Sequence, residues 1–120
     1  MGATHVTVQV RALSGRPKPL EAEFLVETGA ILSMAPGSKL KKAGIRPTGK
    51  GSYELADGSA VELYFGHAIL SFMGSVTATD IIFGPEESEP LLGVVALEST
   101  GIMVDPVSQT LRRMHALPLK

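Results

Sequence analysis

The sequence predicts a mostly β protein, a barrel or a sandwich, with two short helices. Three observations support this fold class: apolar and polar residues alternate near the start, strand-like runs recur at short spacing, and turns rich in Gly and Pro separate them. A chain of 120 residues fits a single domain over residues 1–120. Because 44% of the residues are hydrophobic, we expect one well-formed core.

The first half of the chain contains two predicted strands and a helix. Residues 6–10 (VTVQV) alternate as a half-buried strand does, and residues 21–26 end in three apolar residues, which indicates burial on both faces. Residues 36–43 are predicted to be a short helix. Pro36 suits a first helical turn and Gly44 suits the position after the last one.

The second half begins with a predicted hairpin over residues 53–63, because Asp57-Gly58 lies between two alternating arms. Strands are expected at residues 68–72 and 76–83, followed by an acidic turn at 84–90. A short helix over 94–100, ended by Gly101, precedes a strand at 102–104. A turn at Asp105-Pro106 then leads into residues 109–113.

Composition excludes several classes of function. The chain has no cysteine, so disulfides, thiolate metal sites and a Cys nucleophile are ruled out. A net charge of −1 and the lack of a long basic run argue against a nucleic-acid partner. No apolar run approaches the roughly 20 residues of a membrane span, and the N-terminus does not resemble a signal peptide. We therefore expect a cytoplasmic protein with no membrane partner.

We also expect neither a cofactor nor a metal. The three histidines, His5, His67 and His115, are scattered and lack a metal-binding spacing. No Gly-rich phosphate loop is present, because the Gly49-Lys50-Gly51 stretch is too short and lacks a strand-to-helix context.

One acidic residue occupies an unusual place. Glu27 follows the apolar end of the second predicted strand and is followed directly by Thr28, Gly29 and Ala30. An isolated motif of this kind is typical of a surface turn. Here, however, a helix and a tight hairpin follow it, and two bulky apolar residues with a Gly (Leu91, Leu92 and Gly93) come later, directly before the second helix.

This order of features resembles the retroviral-type (retropepsin-like) aspartic proteases and their single-domain prokaryotic relatives. The similarity runs over nearly the whole chain and includes the closing segment LLGVVALESTGIMVDPVSQTLRR. It implies a closed β-barrel of the acid protease fold that works as a C2 homodimer. By the same resemblance Glu27 takes the place of the catalytic Asp, with Thr28, Gly29 and Ala30 in the active-site loop. Leu91, Leu92 and Gly93 would support that loop.

The resemblance further implies a flap over about residues 50–66, which would include Tyr53, Leu55, Ala56, Asp57, Gly58 and Ser59. Its implied activity is hydrolysis of peptide bonds in an extended peptide or protein substrate. Two carboxyl groups that face each other at about 3 Å cannot both ionise, so they share one proton and activate a water molecule. The chain holds one such motif, so two chains are needed. In this family the Thr of the loop forms hydrogen bonds across the dimer axis.

Two departures from the family pattern leave alternatives open. Glu27 is one methylene longer than Asp, which allows an altered but active dyad, a natural pseudoprotease or an engineered inactive variant. An ion pair common in the viral enzymes falls on Ile31 and Val94, which predicts a re-packed apolar interface. The alternative function is a catalytically inactive, dimeric peptide-binding module, and a third is a small β-barrel binding protein whose resemblance is accidental.

Overall fold

The structure is a computed structural model that describes residues 3–105, 107–114, 116–117 and 119. The predictions made for Pro106 and His115 lie outside these residues. Within them the elements follow the order β1 (His5–Arg11), β2 (Leu20–Val26), β3 (Ser33–Pro36), α1 (Gly37–Lys42), β4 (Gly49–Glu54), β5 (Ala60–Phe72), β6 (Ser75–Gly84), β7 (Leu91–Leu92), α2 (Val94–Thr100), β8 (Ile102–Val104) and β9 (Leu111–Arg113). The mostly β composition with two short helices is confirmed.

Seven of these strands form one sheet that closes on itself. Their order is β1-β2-β7-β3-β6-β5-β4, and an additional antiparallel pairing of β1 with β5 closes six of them into a barrel. Strand β4 pairs with the first half of β5, outside the closed ring. Strands β8 and β9 form a separate antiparallel pair. Of the two architectures that the strand pattern allowed, the protein has the barrel.

The core fills the barrel interior. Val8 and Val10 are fully buried, as the alternation in β1 predicts, and Phe24 of β2 is buried beside them. Leu92, at the end of β7, is also fully buried. Burial of each large apolar side chain contributes about 1.5–3 kcal/mol to the stability of the fold. Burial of Phe24 and Leu92 therefore holds the ends of β2 and β7 in place. The residue after β2 is Glu27.

Strand β5 is longer than the sequence predicts. The expected hairpin arm and the expected strand at 68–72 are one continuous strand, which runs through Gly66. A Cβ at Gly66 would lie 2.5 Å from the carbonyl oxygen of Arg46 and 3.1 Å from the ring of Phe83. This glycine therefore permits a close backbone approach and does not mark the end of a strand.

The region around α1 also differs from the prediction. Helix α1 is Gly37–Lys42, whereas Pro36 ends the short strand β3, which the sequence did not predict. This strand pairs in parallel with β6, from Ser33 opposite Ile81 to Pro36 opposite Gly84. Helix α2 is Val94–Thr100, as predicted. Gly101 follows it as the predicted capping residue, with a φ of 72°. No helix in the described residues is long and apolar enough to cross a membrane.

The C-terminal segment begins as predicted and then departs from the prediction. Strand β8 lies at 102–104, but the following strand is Leu111–Arg113 and does not start at 109. Gln109 has a positive φ of 57°, which extended strands do not accommodate. Val107 and Ser108 lie in a turn, and Asp105 accepts hydrogen bonds from the backbone N–H groups of both.

Candidate active site

Glu27 stands at the end of β2, where two parallel strands meet. Leu25 pairs with Leu91 and Val26 with Leu92, and the N–H of Glu27 donates to the carbonyl oxygen of Leu92 at 3.0 Å. The backbone of Glu27 is thus held by β7, one of the buried strands of the barrel. The side chain of Glu27 is half-buried.

The loop after Glu27 folds back on the glutamate. The N–H of Ala30 donates to the carbonyl oxygen of Glu27 at 3.1 Å, and the N–H of Gly29 donates to Glu27 Oε1 at 3.0 Å. A Cβ at Gly29 would lie 3.2 Å from that carboxylate oxygen, so a side chain there would crowd the hydrogen bond. One oxygen of the carboxylate is therefore bound within the loop, while Oε2 accepts no hydrogen bond from the described residues.

Thr28 and Ile31 lie on the outer side of the same loop. Thr28 is exposed, and its hydroxyl forms no hydrogen bond with any described residue. Ile31 is 72% exposed, and Val95, whose N–H donates to the carbonyl oxygen of Ile31 at 3.0 Å, is 37% exposed. The loop therefore presents a free hydroxyl and exposed apolar side chains beside Glu27.

Leu91, Leu92 and Gly93 pass directly behind the loop. The N–H of Gly93 donates to Ser33 Oγ at 3.0 Å in the interior, and the next residue, Val94, donates to the carbonyl oxygen of Ala30 at 2.9 Å. A Cβ at Gly93 would stand 2.6 Å from the backbone of Leu32, so only glycine fits. Sequence reasoning missed Ser33. Its signal was a lone hydroxyl within the apolar run Ile31-Leu32-Ser33-Met34-Ala35.

The predicted hairpin is present, with β4 and β5 paired from Gly49 opposite Phe65 to Glu54 opposite Ala60. At its tip, Gly58 has a φ of 87°, and Asp57 Oδ1 accepts hydrogen bonds from the N–H and the hydroxyl of Ser59 at 2.9 and 2.6 Å. The hydroxyl of Ser59, followed by its N–H, lowers the pKa of Asp57. The residues predicted for the flap tip, Leu55 to Ser59, are all exposed.

A cavity of about 410 Å³ lies between the loop and the end of β4 next to the hairpin tip. It is lined by Gly29, Ala30, Ile31, Leu32, Tyr53, Glu54 and Ile82. The structure therefore brings Gly29 and Ala30 together with Tyr53, whereas Glu27, Thr28 and the flap residues Leu55 to Ser59 are not among the residues that line the cavity. Burial, and secondarily the charge of Asp80, raises the pKa of the Tyr53 hydroxyl. Tyr53 is thus a neutral, half-buried wall of the cavity.

The histidines that the structure describes take part in pairs with carboxylates. His67 Nδ1 lies 2.6 Å from Asp80 Oδ1 on the neighbouring strand, and His5 Nε2 lies 2.9 Å from Glu89 Oε2. The described residues contain no group of three or more His, Asp or Glu side chains that could hold a metal ion. The acidic side chain that lines the cavity is that of Glu54, and Glu27 lies two residues before the first lining residue, Gly29.

Comparison with solved structures identifies the fold. EIAV protease, solved with a bound inhibitor, matches with a TM-score of 0.59 and 18% identity over 83% of this chain and 89% of that one. The protease of Simian Foamy Virus (mac) matches with a TM-score of 0.54 and 12% identity, over 78% and 90%. A retropepsin-like aspartic protease from Rickettsia conorii, 20% identical, has a TM-score of 0.47 over 84% of each chain.

The protein therefore has the retropepsin-like fold, as the resemblance in its sequence implies. The first two of these solved proteins are themselves viral proteases. No model of a known protein family matches the chain, and no curated protein sequence matches it significantly.

Proposed function

We propose that this protein is an aspartic-type endopeptidase that acts as a homodimer, with Glu27 from each protomer forming the carboxyl dyad. The observation that carries the proposal is the position of Glu27. It directly follows β2 of a retropepsin-like barrel, its backbone is bound to Leu92, and one carboxylate oxygen is bound to Gly29. The other oxygen is free of described partners, and Glu27 lies two residues before Gly29, the first of the loop residues that line the 410 Å³ cavity.

The reaction needs two carboxyl groups in different protonation states. In a C2 dimer the two Glu27 side chains share one proton, because two facing carboxylates repel each other. The ionised carboxylate removes a proton from a water molecule, whose oxygen attacks the carbonyl carbon of the peptide bond. The protonated carboxyl donates its proton to the carbonyl oxygen. When the C–N bond breaks, the carboxyl group that took the proton from water gives it to the leaving nitrogen, and the hydroxyl proton of the intermediate returns to the other carboxylate, which restores the single shared proton.

The hydrogen bond from Gly29 supports a working glutamate. The added methylene lengthens the side chain by about 1.5 Å and adds a rotatable bond, and a misplacement of about 1 Å can cost on the order of a hundredfold in rate. Binding of Oε1 to the N–H of Gly29 restricts that rotation. Glu27 is therefore better ordered than a free surface glutamate, which favours an active dyad.

The surface beside Glu27 supports the dimer. Ile31 and Val95 are exposed apolar residues next to the loop, and the hydroxyl of Thr28 has no partner among the described residues. A second copy related by a two-fold axis near Glu27 would cover the apolar side chains and supply a partner for each Thr28. Tyr53 and the rest of the hairpin to Ser59 would then form the flap over an extended peptide.

The alternative function is a catalytically inactive, dimeric peptide-binding module. The observation that favours it is Glu27 itself. Its side chain is one methylene longer than that of Asp, so two Glu27 carboxyl groups would be placed differently from those of an Asp dyad. In this case the cavity and hairpin would hold an extended peptide, with backbone hydrogen bonds to the strand edge, and would not cleave it.

The test compares the protein with Glu27→Asp and Glu27→Gln on an unfolded protein substrate between about pH 3 and 7, where carboxyl groups titrate. Glu23→Gln is the matched control, because Glu23 is an exposed acid on the same strand. We expect cleavage by the protein and by the control, and none by Glu27→Gln. Sedimentation of the same samples reports the dimer.

Other outcomes point elsewhere. Cleavage that appears only with Glu27→Asp would show that the dyad is disabled and would favour the peptide-binding module. Equal cleavage by Glu27→Gln and Glu23→Gln would mean that Glu27 is not catalytic. A protein that stays monomeric at every concentration would contradict both dimeric functions.

A further inference from the structure

Two adjoining grooves lie where the loop after β1 packs against the end of α1. Their volumes are about 390 and 490 Å³, and Pro17 lines both. Gly44, which follows α1 with a φ of 88°, makes this packing possible, because a Cβ there would stand 2.5 Å from Pro17 Cδ and 2.6 Å from the carbonyl oxygen of Arg16. Pro17 is therefore held against Gly44 as a wall common to the two grooves.

The rims of these grooves carry most of the positive charge of the chain. Six of its 11 Lys and Arg residues line them, all exposed, and we call this set the basic face: Arg16, Lys18, Lys39, Lys41, Lys42 and Arg46. Among the lining residues the acidic one is Glu21, whose Oε1 accepts a hydrogen bond from Gln9 at 2.9 Å. A protein with a net charge of −1 thus concentrates its cations on one surface.

Within the described residues, no member of the basic face forms an ion pair. A second acidic neighbour is Glu86, whose pKa is lowered by its hydrogen bonds to Ser38 and, to a smaller extent, by the charges of Lys39 and Lys41. Both of its carboxylate oxygens, however, are bound to Ser38, at 2.5 Å to the hydroxyl and 3.2 Å to the N–H. The cations of the basic face are therefore left without a salt-bridge partner in the part of the chain that the structure describes.

Stabilisation of α1 explains only part of this arrangement. Lys39, Lys41 and Lys42 lie in the last turn of the helix, where cations interact favourably with the helix dipole. Arg16 and Lys18 belong to a different loop, and Arg46 lies beyond Gly44. Three separate segments thus bring cations to the same grooves, although like charges repel one another.

The floors of the grooves are apolar. Leu20 and Ala22 are half-buried in the first, Ile45 is buried in the second, and Ala43 is buried beside them. No aromatic side chain lines either groove, so the stacking surface that single-stranded nucleic acids use is missing. Cationic rims over apolar floors fit a ligand that carries both carboxylates and apolar side chains.

We propose that the basic face binds an extended acidic peptide segment of another protein, with carboxylates paired to the rim and apolar side chains in the grooves. The rest of the surface would repel such a segment, because the remaining five cations of the chain stand against eleven acidic residues. Complementary charge of this kind orients a partner and accelerates its association. The lining residues of the basic face are separate from those of the cavity beside Glu27, so this binding does not depend on the proposed activity.

The test measures fluorescence anisotropy of a labelled peptide of Glu-Leu-Ser repeats, checked for integrity by mass spectrometry. Two further probes separate the contributions: Gln-Leu-Ser repeats lack the charge, and Glu-Gly-Ser repeats lack the apolar side chains. The double variant Lys39→Gln/Lys42→Gln is compared with Arg11→Gln/Arg112→Gln, which removes the same charge elsewhere. We expect binding of the Glu-Leu-Ser peptide to weaken about five- to tenfold in the first variant and to stay unchanged in the second.

The proposal also predicts that the Glu-Leu-Ser peptide binds more tightly than either other probe and that added salt weakens its binding, since the Debye length is about 10 Å at 0.1 M. Equal loss in both double variants would overturn it. Binding of the Glu-Gly-Ser peptide, a single-stranded oligonucleotide or anionic vesicles as tight as that of the Glu-Leu-Ser peptide would show a general polyanion surface and would also overturn it.

Discussion

The backbone N–H of Gly93 donates a hydrogen bond of 3.0 Å to Ser33 Oγ, between residues 60 positions apart in the chain. Ser33 is 2% exposed and begins β3, whereas Gly93 lies between β7 and α2. The residue before Gly93, Leu92, accepts the hydrogen bond from the N–H of Glu27. One buried hydroxyl therefore helps to hold the backbone on which the candidate catalytic residue rests.

Replacement of Ser33 by Ala is predicted to destabilise the protein. The N–H of Gly93 would remain buried without an acceptor, which costs about 1–3 kcal/mol. Chemical denaturation measures this loss, with Ser52→Ala as the control, because Ser52 is exposed on β4. Equal unfolding free energies for the two variants would mean that the Ser33 hydroxyl does not stabilise this segment.

Local patterns predicted the parts of the fold that depend on neighbouring residues. The turn at Asp57-Gly58, the end of α2 at Gly101 and the alternation of β1 each follow from the conformational preferences of a few adjacent side chains. The position of Glu27 directly after an apolar strand was predictable for the same reason, but the predicted burial on both faces was wrong, because Phe24 is buried whereas Leu25 and Val26 are half-buried. The apolar predecessors of Glu27 are consecutive in the sequence.

The parts that the sequence did not predict depend on contacts between distant residues. Strand β3 has four residues and β7 has two, too few to show a period, and both are defined by their pairing with other strands. Gly66 has the local preference of a turn, yet the close approach of Arg46 places it within β5. The role of Ser33 depends on Gly93, and no local pattern connects the two.

Glu86 is predicted to stabilise the fold in a pH-dependent way. Its carboxylate accepts hydrogen bonds from the hydroxyl and the N–H of Ser38 in α1, which, together with Lys39 and Lys41, lowers the pKa of Glu86 in the folded protein. Because the folded pKa is lowered, the stabilisation is complete above the unfolded value of about 4.3 and is lost as the pH falls through the folded one.

Thermal unfolding of Glu86→Gln at neutral pH and at about pH 2.5 tests this prediction. We expect a lower Tm than that of the unmodified protein at neutral pH and a much smaller difference in acid. Glu87→Gln is the control, since Glu87 is the adjacent exposed acid. A Tm difference that does not change with pH would contradict the role of the Glu86 carboxylate.

Asp57 is predicted to order the tip of the hairpin at neutral pH. Its carboxylate binds both the hydroxyl and the N–H of Ser59, and these bonds lower its pKa. The turn is therefore most ordered above the unfolded pKa of about 3.9 and loosens as the pH falls through the lower folded pKa.

In Asp57→Ala the amide of Ser59 should exchange faster with solvent at neutral pH, as measured by NMR. Glu62→Ala, an exposed acid on the same hairpin, should leave that rate unchanged, and equal rates in both variants would exclude this role.

Ile31 is predicted to lie in the interface of the proposed dimer. It is 72% exposed beside the Glu27 loop, and a dimer built around Glu27 would bury it in both protomers. Loss of that burial costs about 1.5–3 kcal/mol for each copy, so Ile31→Asp should weaken dimerisation on the order of a hundredfold or more. Sedimentation velocity over a concentration series measures the change.

Val76→Asp is the matched control, because Val76 is a β-branched residue, 60% exposed, at the start of β6. Circular dichroism must show that both variants stay folded, and equal dimerisation constants for the two would place the interface away from Ile31.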